Sequence, residues 1–154
     1  MNIRAYREAD QAGVIALWQE CGLVVPWNDP ARDIARKLLV DRELFLVGED
    51  EQGIAATVMG GYEGHRGWIN YLAVCPAARG LGHGRSMMQA VEQRIRDRGC
   101  PKINLQVRET NEGVIAFYAA LGYRDDRVIG LGKRLQHDDA GPASGRGRQP
   151  GRDQ

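Results

Sequence analysis

The sequence predicts a single α/β domain built on one sheet of mixed direction. The segments "ELFLVGED" and "GIAATVMGGY" are rich in strand-forming residues and are joined by a polar turn, which predicts a hairpin. The segment "GWINYLAV" is apolar almost throughout, which is typical of a central strand covered on both faces. Helical and strand patterns then alternate, which predicts a right-handed crossover to a parallel fifth strand.

Before this central strand, the pattern gives one strand, two helices and the hairpin. Residues 2–6 alternate as in a short strand, and Asp10 is placed to cap a helix. Apolar residues recur in that helix at helical spacing: Val14, Leu17, Trp18 and Cys21. The segment "VVPWNDP" interrupts the chain, and Asn28 or Asp29 then caps a second helix with Pro30 at its first position.

After the central strand, the pattern gives two more helices and two more strands. A helix follows a glycine-rich turn and stops at Gly99. The segment "KINLQV" is a fifth strand, and "TNEGVIAFYAALGY" is a short helix with Gly122 as its C-cap. The segment "RVIGLGKRL" is expected to close the sheet as a last strand.

Composition excludes several classes of function. The chain has 154 residues, is 43% apolar and 27% charged, and carries a net charge of +1, so we expect no nucleic-acid or membrane partner. Cys21, Cys75 and Cys100 form no C-x-x-C pair, so we expect free thiols, no metal site and a reducing compartment. The first residues lack the apolar core of a signal peptide, which favours a cytoplasmic protein.

The domain is expected to span residues 1–136. Residues 137–154 are mostly Gly, Pro, Ser, Arg and Asp, with no aliphatic side chain larger than Ala. Such a segment has little to bury, so we expect a disordered C-terminal tail.

Three glycines stand at alternate positions between the central strand and the next helix, in "VCPAARGLGHG". Glycine allows unusual backbone angles and close approach of a ligand, and a helix start attracts anions. Aligned as a P-loop, the segment has Arg79 in place of the first glycine and Arg85 in place of the lysine. Gly80, Gly82 and Gly84 also miss the spacing of a dinucleotide fingerprint. A turn that merely connects two elements remains an alternative.

The same segment reads V-x-P-x-x-R-x-x-G-x-G from Val74 to Gly84 and closely resembles the acetyl-CoA loop of GNAT N-acyltransferases. The run N-x-x-x-x-x-F-Y-x-x-L-G-Y, from Asn111 to Tyr123, resembles the second cofactor motif of that superfamily. The likeness extends to about residue 135. In finer detail the segments "VPWNDP", "MGGYEGHRG", "GCPKINLQV" and "LGKRL" resemble the YpeA-type bacterial acetyltransferases.

The resemblance implies a GNAT-like sheet of six to seven strands with about four helices, splayed between strands 4 and 5. It implies that acetyl-CoA is the co-substrate, with its pyrophosphate on the loop and its pantetheine arm along strand 4. The cofactor-binding residues so implied are Leu72, Ala73, Val74, Arg79, Gly80, Leu81, Gly82, His83, Gly84, Arg85, Asn111 and Tyr118.

The resemblance also places Tyr118 where family members protonate the leaving thiolate; as an alternative, Tyr118 is a core aromatic residue. The general base is less well defined. Glu63 and His65, in the turn before strand 4, are candidates that could act directly or through water, or could be solvated turn residues.

The acceptor site of this fold corresponds to Trp27, Asn28 and Asp29 together with Glu63. Asn28 and Asp29 could instead serve only as helix caps. We therefore expect an N-acetyltransferase that moves an acetyl group to a primary amine, by direct attack in a ternary complex. The acceptor is a small molecule, a peptide or a protein, and the enzyme is a monomer or a homodimer. The alternative is a non-catalytic sensor that binds acyl-CoA.

Overall fold

The structure is a computed structural model that describes residues 1–138. Its helices are α1 (Gln11–Glu20), α2 (Pro30–Leu38), α3 (His83–Arg96) and α4 (Glu112–Ala120). Its strands are β1 (Asn2–Ala5), β2 (Phe45–Asp50), β3 (Gly53–Tyr62), β4 (Gly67–Val74) and β5 (Ile103–Leu105). In the part of the chain described, no helix is long and apolar enough to cross a membrane.

The strands form one mixed sheet in the order β1-β2-β3-β4-β5. Strands β1 to β4 are a meander of antiparallel neighbours, and β5 pairs with β4 in parallel after the crossover through α3. The predicted α/β class, the hairpin, the central position of β4 and the four helices are confirmed.

Each face of the sheet has its own core. On one face, α3 and α4 cover β2, β3 and β4, with Met87, Met88, Val91 and Ile95 fully buried. On the other face, α1 and α2 pack through Val14, Leu17, Trp18 and Ile34. The helices thus cover β4 from both sides, as its apolar sequence predicted.

The prediction of a sixth or seventh strand is wrong for the residues described, which form five strands. Residues 127–135 are not in a strand, and Val128 and Leu135 are 77% and 90% exposed. The glycines within this segment weaken strand formation, and its apolar side chains bury too little surface to offset the ordering of the backbone. Of the predicted tail, residues 139–154 lie outside the described residues.

Candidate active site

A β-bulge interrupts β4 at the centre of the sheet. Thr57 and Met59 of β3 pair with Ala73 and Asn70, so two steps along β3 correspond to three along β4. Tyr71 lies within the extra step and has a φ of 49°, which is rare for a residue with a side chain. The bulge therefore redirects the peptide groups of β4 next to the gap described below.

Two hydrogen bonds of the buried Thr57 hydroxyl support this bulge. The indole N–H of Trp18 donates to Thr57 Oγ1 at 2.9 Å, and the Thr57 hydroxyl donates to the carbonyl of Tyr71 at 2.9 Å. The ring of Tyr71 also stacks on Trp18 with their centroids 3.9 Å apart. A strained residue is thus fixed by the packing around it, as expected at a functional site.

The ladder between β4 and β5 ends beside the bulge, and the stretch that it leaves unpaired along β4 is the gap referred to below. The two strands pair only from Gly67 to Ile69, opposite Ile103 to Leu105. Within residues 1–138, β4 has no strand partner on the β5 side beyond Ile69, and the carbonyl of Val74 instead accepts from Cys21 Sγ and Arg79 Nε, both at 3.4 Å. An unpaired strand edge of this kind can bind an extended, hydrogen-bonding ligand.

The glycine loop, residues 79–85, connects this gap to the start of α3. Gly80 and Gly82 have φ values of 78° and 81°, where a side chain would be strained, although nothing lies within 4 Å of a Cβ at either position. Gly84 is needed for a different reason, because a Cβ there would lie 3.2 Å from the ring of Phe117 on α4. Two glycines thus shape the loop, and the third lets α3 and α4 pack closely.

The glycine loop presents a row of backbone N–H groups that have no hydrogen-bond acceptor among the described residues. Among the described residues, no backbone or side-chain acceptor receives a hydrogen bond from the N–H groups of residues 80–85. The first turn of α3 contains no acidic residue, and Arg79 and Arg85 flank the row. Donors of this kind at the positive end of a helix dipole bind phosphate groups.

Tyr118 lies on α4, on the side of the sheet that carries α3. Its side chain belongs to the core cluster that also contacts Leu72 and Val74 of β4. It packs edge-to-face with Phe117 and Tyr123, and burial raises the pKa of its hydroxyl to about 12. The group therefore stays protonated near neutral pH and is able to donate a proton.

Asn111 caps α4, as predicted. Its side-chain oxygen accepts a hydrogen bond from the N–H of Val114 at 3.3 Å. The cap fixes the start of the helix that carries Tyr118 and leaves the amide nitrogen of Asn111 unbonded among the described residues.

Glu63 and His65 lie in the turn between β3 and β4, away from the glycine loop. The Glu63 carboxylate accepts hydrogen bonds from the N–H groups of His65 and Arg66, at 3.2 and 2.5 Å, and so closes the turn. At a rise of about 3.3 Å per residue, the start of β4 at Gly67 lies about 17 Å from Leu72. The structure does not bring the two candidate bases together with Tyr118.

Of the four predicted acceptor residues, Glu63 lies in the turn just described, and the other three lie directly before α2, on the opposite face of the sheet from Tyr118. Asp29 caps α2 by accepting from the N–H groups of Ala31 and Arg32, so its predicted capping role is confirmed. Trp27 is 48% exposed. The side chain of Asn28 accepts a hydrogen bond from Arg134 at 3.2 Å.

The sequence pattern did not single out several polar residues that lie beside the bulge. Tyr71 donates a hydrogen bond to Asp33 Oδ2 at 2.7 Å, and Asp33 also pairs with Arg36 at 3.1 Å. Burial and the neighbouring carboxylate raise the pKa of Tyr71 above its usual range. The spacing of Asp33 and Arg36 marks a helix pair, but no sequence signal connects them to Tyr71, which is distant along the chain.

The chain belongs to the GNAT family of acetyltransferases. The model of the acetyltransferase (GNAT) family matches residues 5–123, which include the bulge, the gap and the glycine loop. The chain is 49% identical over 135 residues to "Acetyltransferase YE1169" of Yersinia enterocolitica, a match that covers 88% of this chain and 96% of that protein. The predicted superfamily and enzyme class are confirmed, and the YpeA-type branch stays a prediction.

Solved structures share the fold. Naa20 of Chaetomium thermophilum, solved in complex with a bisubstrate analogue, matches with a TM-score of 0.64 and 25% identity, over 79% of this chain and 70% of that chain. The aminoglycoside 6'-N-acetyltransferase AAC(6')-IG of Acinetobacter haemolyticus matches with a TM-score of 0.68 and 16% identity, over 88% of this chain and all of that chain.

Proposed function

We propose that this acetyltransferase uses acetyl-CoA and transfers the acetyl group directly to a primary amine in a ternary complex. The observation that carries the proposal is the row of unbonded N–H groups in residues 80–85, next to the unpaired edge of β4. The pyrophosphate of CoA would accept from the loop and the start of α3. The pantetheine arm would lie in the gap along Leu72, Ala73 and Val74.

The reaction needs a hydrogen-bond donor at the carbonyl oxygen of the thioester and a proton donor at its sulfur. The neutral amine attacks the carbonyl carbon, and a peptide N–H of β4 near the bulge stabilises the oxyanion that forms. The tetrahedral intermediate then expels CoA as a thiolate, which Tyr118 protonates. One C–N bond forms and one C–S bond breaks; the amine loses one proton to the base or to water, and solvent returns one proton to Tyr118.

The route of the amine proton depends on the acceptor. Glu63 and His65 remain our proposed bases; because their turn lies at the far end of β4, they would have to act through a chain of several waters. A free lysine amine has a pKa of about 10.4 and an α-amine about 8, so an α-amine needs less help from a base. By their names, one structural neighbour acetylates an aminoglycoside antibiotic, which is a small molecule, and another, from Escherichia coli, acetylates an alanine of ribosomal protein S18.

The location of the protein is also a proposal. Cys21, Cys75 and Cys100 are all free thiols in the structure. Unpaired cysteines are usual in a reducing compartment, which supports the cytoplasmic location predicted from the sequence.

A screen of amines tests this proposal. The protein is incubated with acetyl-CoA and a panel of small amines, peptides and protein lysines, and the release of free CoA thiol is followed. Mass spectrometry then locates the acetyl group on the acceptor. We expect acceptor-dependent thiol release at a rate well above hydrolysis. Binding of acetyl-CoA without transfer to any amine would instead favour the non-catalytic sensor.

A further inference from the structure

The C-terminal segment, residues 134–138, lies across the predicted acceptor region. The guanidinium of Arg134 donates to the carbonyl of Trp27 at 3.1 Å and to Asn28 Oδ1 at 3.2 Å. At the other end of the segment, Asp138 contacts the start of α2. The segment therefore contacts the loop before α2 at both of its ends.

The carboxylate of Asp138 occupies a site with donors on several sides. It accepts from the N–H of Asp29 at 3.0 Å and from Nη1 and Nη2 of Arg36 at 3.0 and 2.5 Å. Arg32 Nη1 lies 4.0 Å away. The two-pronged contact with Arg36 and the N-terminus of α2 both favour a carboxylate, and these partners hold the pKa of Asp138 well below its usual range.

The two carboxylates in and directly before α2 already have partners of their own. Asp29 caps the helix, and Asp33 accepts from Tyr71 and pairs with Arg36. Asp138 is thus the carboxylate that reaches this site from outside α2. Its departure would leave the N–H of Asp29 and much of the Arg36 guanidinium free to bind another anion.

Hydrogen bonds connect this site to the bulge of β4. Tyr71 donates to Asp33, and Arg36 donates both to Asp33 and to Asp138. Tyr71 is the strained residue of the bulge, beside the gap in which the thioester is proposed to lie. A carboxylate bound by Arg36 would therefore be on the acceptor side of the reaction centre.

We infer that Arg36, Arg32 and the N–H of Asp29 form a binding site for a carboxylate carried by the acceptor amine, and that Asp138 occupies this site in the free protein. The inference rests on the proposed function and narrows its substrate class to amines that bear a carboxylate. Because Asp138 competes for the same donors, the segment must be displaced when the acceptor binds. The apparent affinity for the acceptor is therefore the intrinsic affinity multiplied by the fraction of molecules in which Asp138 has left the site.

A homologous series of amines tests the substrate class. Acids of the form H2N-(CH2)n-COOH, with one to five methylene groups, are compared with their methylamides by thiol release from acetyl-CoA. We expect at least one acid to have a KM about tenfold or more below that of its methylamide. Arg36→Gln should remove this preference, and Asp138→Ala should lower the KM of the acid further. Asp126→Ala removes a carboxylate of the same C-terminal region that pairs with Lys102 instead, and should leave the KM unchanged.

Binding of glutarate, a dicarboxylate without an amine, separates this inference from the proposed function. Calorimetric titration should show glutarate binding to Asp138→Ala more tightly than to the unaltered protein, and not to the double variant with Arg36→Gln. Asp138→Asn is a second variant that preserves side-chain size. If glutarate binds in this way while no amine is acetylated, the proposed function fails and the carboxylate site stands. Equal KM values for acids and methylamides, with no glutarate binding to either Asp138 variant, would overturn the inference.

Discussion

The two sides of the reaction centre are built from different materials. On the proposed cofactor side, the glycine loop offers backbone N–H groups whose positions are set by Gly80 and Gly82. On the proposed acceptor side, the groups are mainly side chains of α2, held by ion pairs with one another and with Asp138, together with the N–H of Asp29.

This contrast suggests that the cofactor is constant and that the acceptor can vary. Backbone donors keep their positions whichever side chains surround them, so a loop of this kind suits a constant cofactor. The Arg36 side chain is 47% exposed although Asp138 is buried, so the guanidinium can exchange one carboxylate partner for another at lower cost than a fully buried pair. We therefore expect variants of the cofactor side to affect every acceptor, and variants of the acceptor side to affect only some.

The largest effect is expected for Tyr118→Phe, which keeps the ring and removes the hydroxyl. Loss of a positioned general acid should lower kcat by about 10²–10⁴-fold with every acceptor. The affinity for acetyl-CoA should hardly change, because the hydroxyl acts only as charge develops on sulfur. Since the pKa of Tyr118 is raised to about 12, its ionisation should not shape the pH profile of the enzyme below pH 10.

Tyr123→Phe is the matched control for that variant. Tyr123 packs against Tyr118, but its hydroxyl donates to Glu92 at 2.8 Å. Removal of this hydroxyl should cost some stability and leave kcat within a few-fold of the unaltered enzyme. Full activity in a folded Tyr118→Phe protein would mean that the thiolate is protonated by another group.

The next effect concerns Gly82→Val. A β-branched side chain at a φ of 81° costs about 1–2 kcal/mol and should displace the loop. Charge-assisted hydrogen bonds contribute about 1.5–3 kcal/mol each, so losing two should weaken acetyl-CoA binding by about 100-fold or more. Calorimetry measures the affinity and thermal unfolding measures the stability.

Gly99→Val provides the comparison. Gly99 lies in the turn after α3, has a φ of 82° and also has nothing within 4 Å of a Cβ. The two variants should lose similar stability, but only Gly82→Val should lose acetyl-CoA binding. Equal losses of binding in both would show that general destabilisation, rather than the loop, is responsible.

A smaller effect is expected for Thr57→Val, at the bulge between the two sides. The change leaves the indole N–H of Trp18 and the carbonyl of Tyr71 without their buried partner. The free energy of unfolding should fall by about 1–3 kcal/mol in urea titrations. Thr57→Ser keeps the hydroxyl and should retain most of the stability and turnover; a Thr57→Val protein as stable as Thr57→Ser would contradict this account of the bulge.

The smallest effect is expected on deleting residues 139–154. The deleted segment has no aliphatic side chain larger than Ala, so we predict unchanged kcat and a melting temperature within the error of measurement. Deleting Asp138 as well should alter the KM only of acceptors that carry a carboxylate. A loss of more than about 1 kcal/mol in the shorter deletion would show that these residues pack against the domain.

The shape of the glycine loop, our proposed cofactor site, could be predicted from the sequence because its signal is local. Glycines at alternate positions between a strand and a helix already indicated an anion site, and the structure gives Gly80 and Gly82 the positive φ values that require glycine. The helices and the meander were likewise predictable from periodicity. Resemblance to a family, rather than periodicity, suggested that β4 and β5 separate.

The acceptor side could not be predicted because its contacts join distant parts of the chain. Asp138 appeared to belong to a featureless tail, but its carboxylate binds α2. Asp10 was expected to cap the first helix, yet its carboxylate instead accepts from Arg4 and from the N–H of Arg7. In both cases a carboxylate has several possible partners, and only the fold decides which is near.

The most direct test of the central claim follows the backbone amides of the glycine loop by NMR while acetyl-CoA is added. Hydrogen bonds to the pyrophosphate should shift the amide signals of Gly80, Gly82 and Gly84 downfield, and the amides of the turn at residues 63–66 should stay unchanged. ATP and NAD should not reproduce the effect at the same concentrations. Saturable binding of acetyl-CoA that leaves the amides of residues 80–85 in place would contradict the assignment of this loop as the cofactor site.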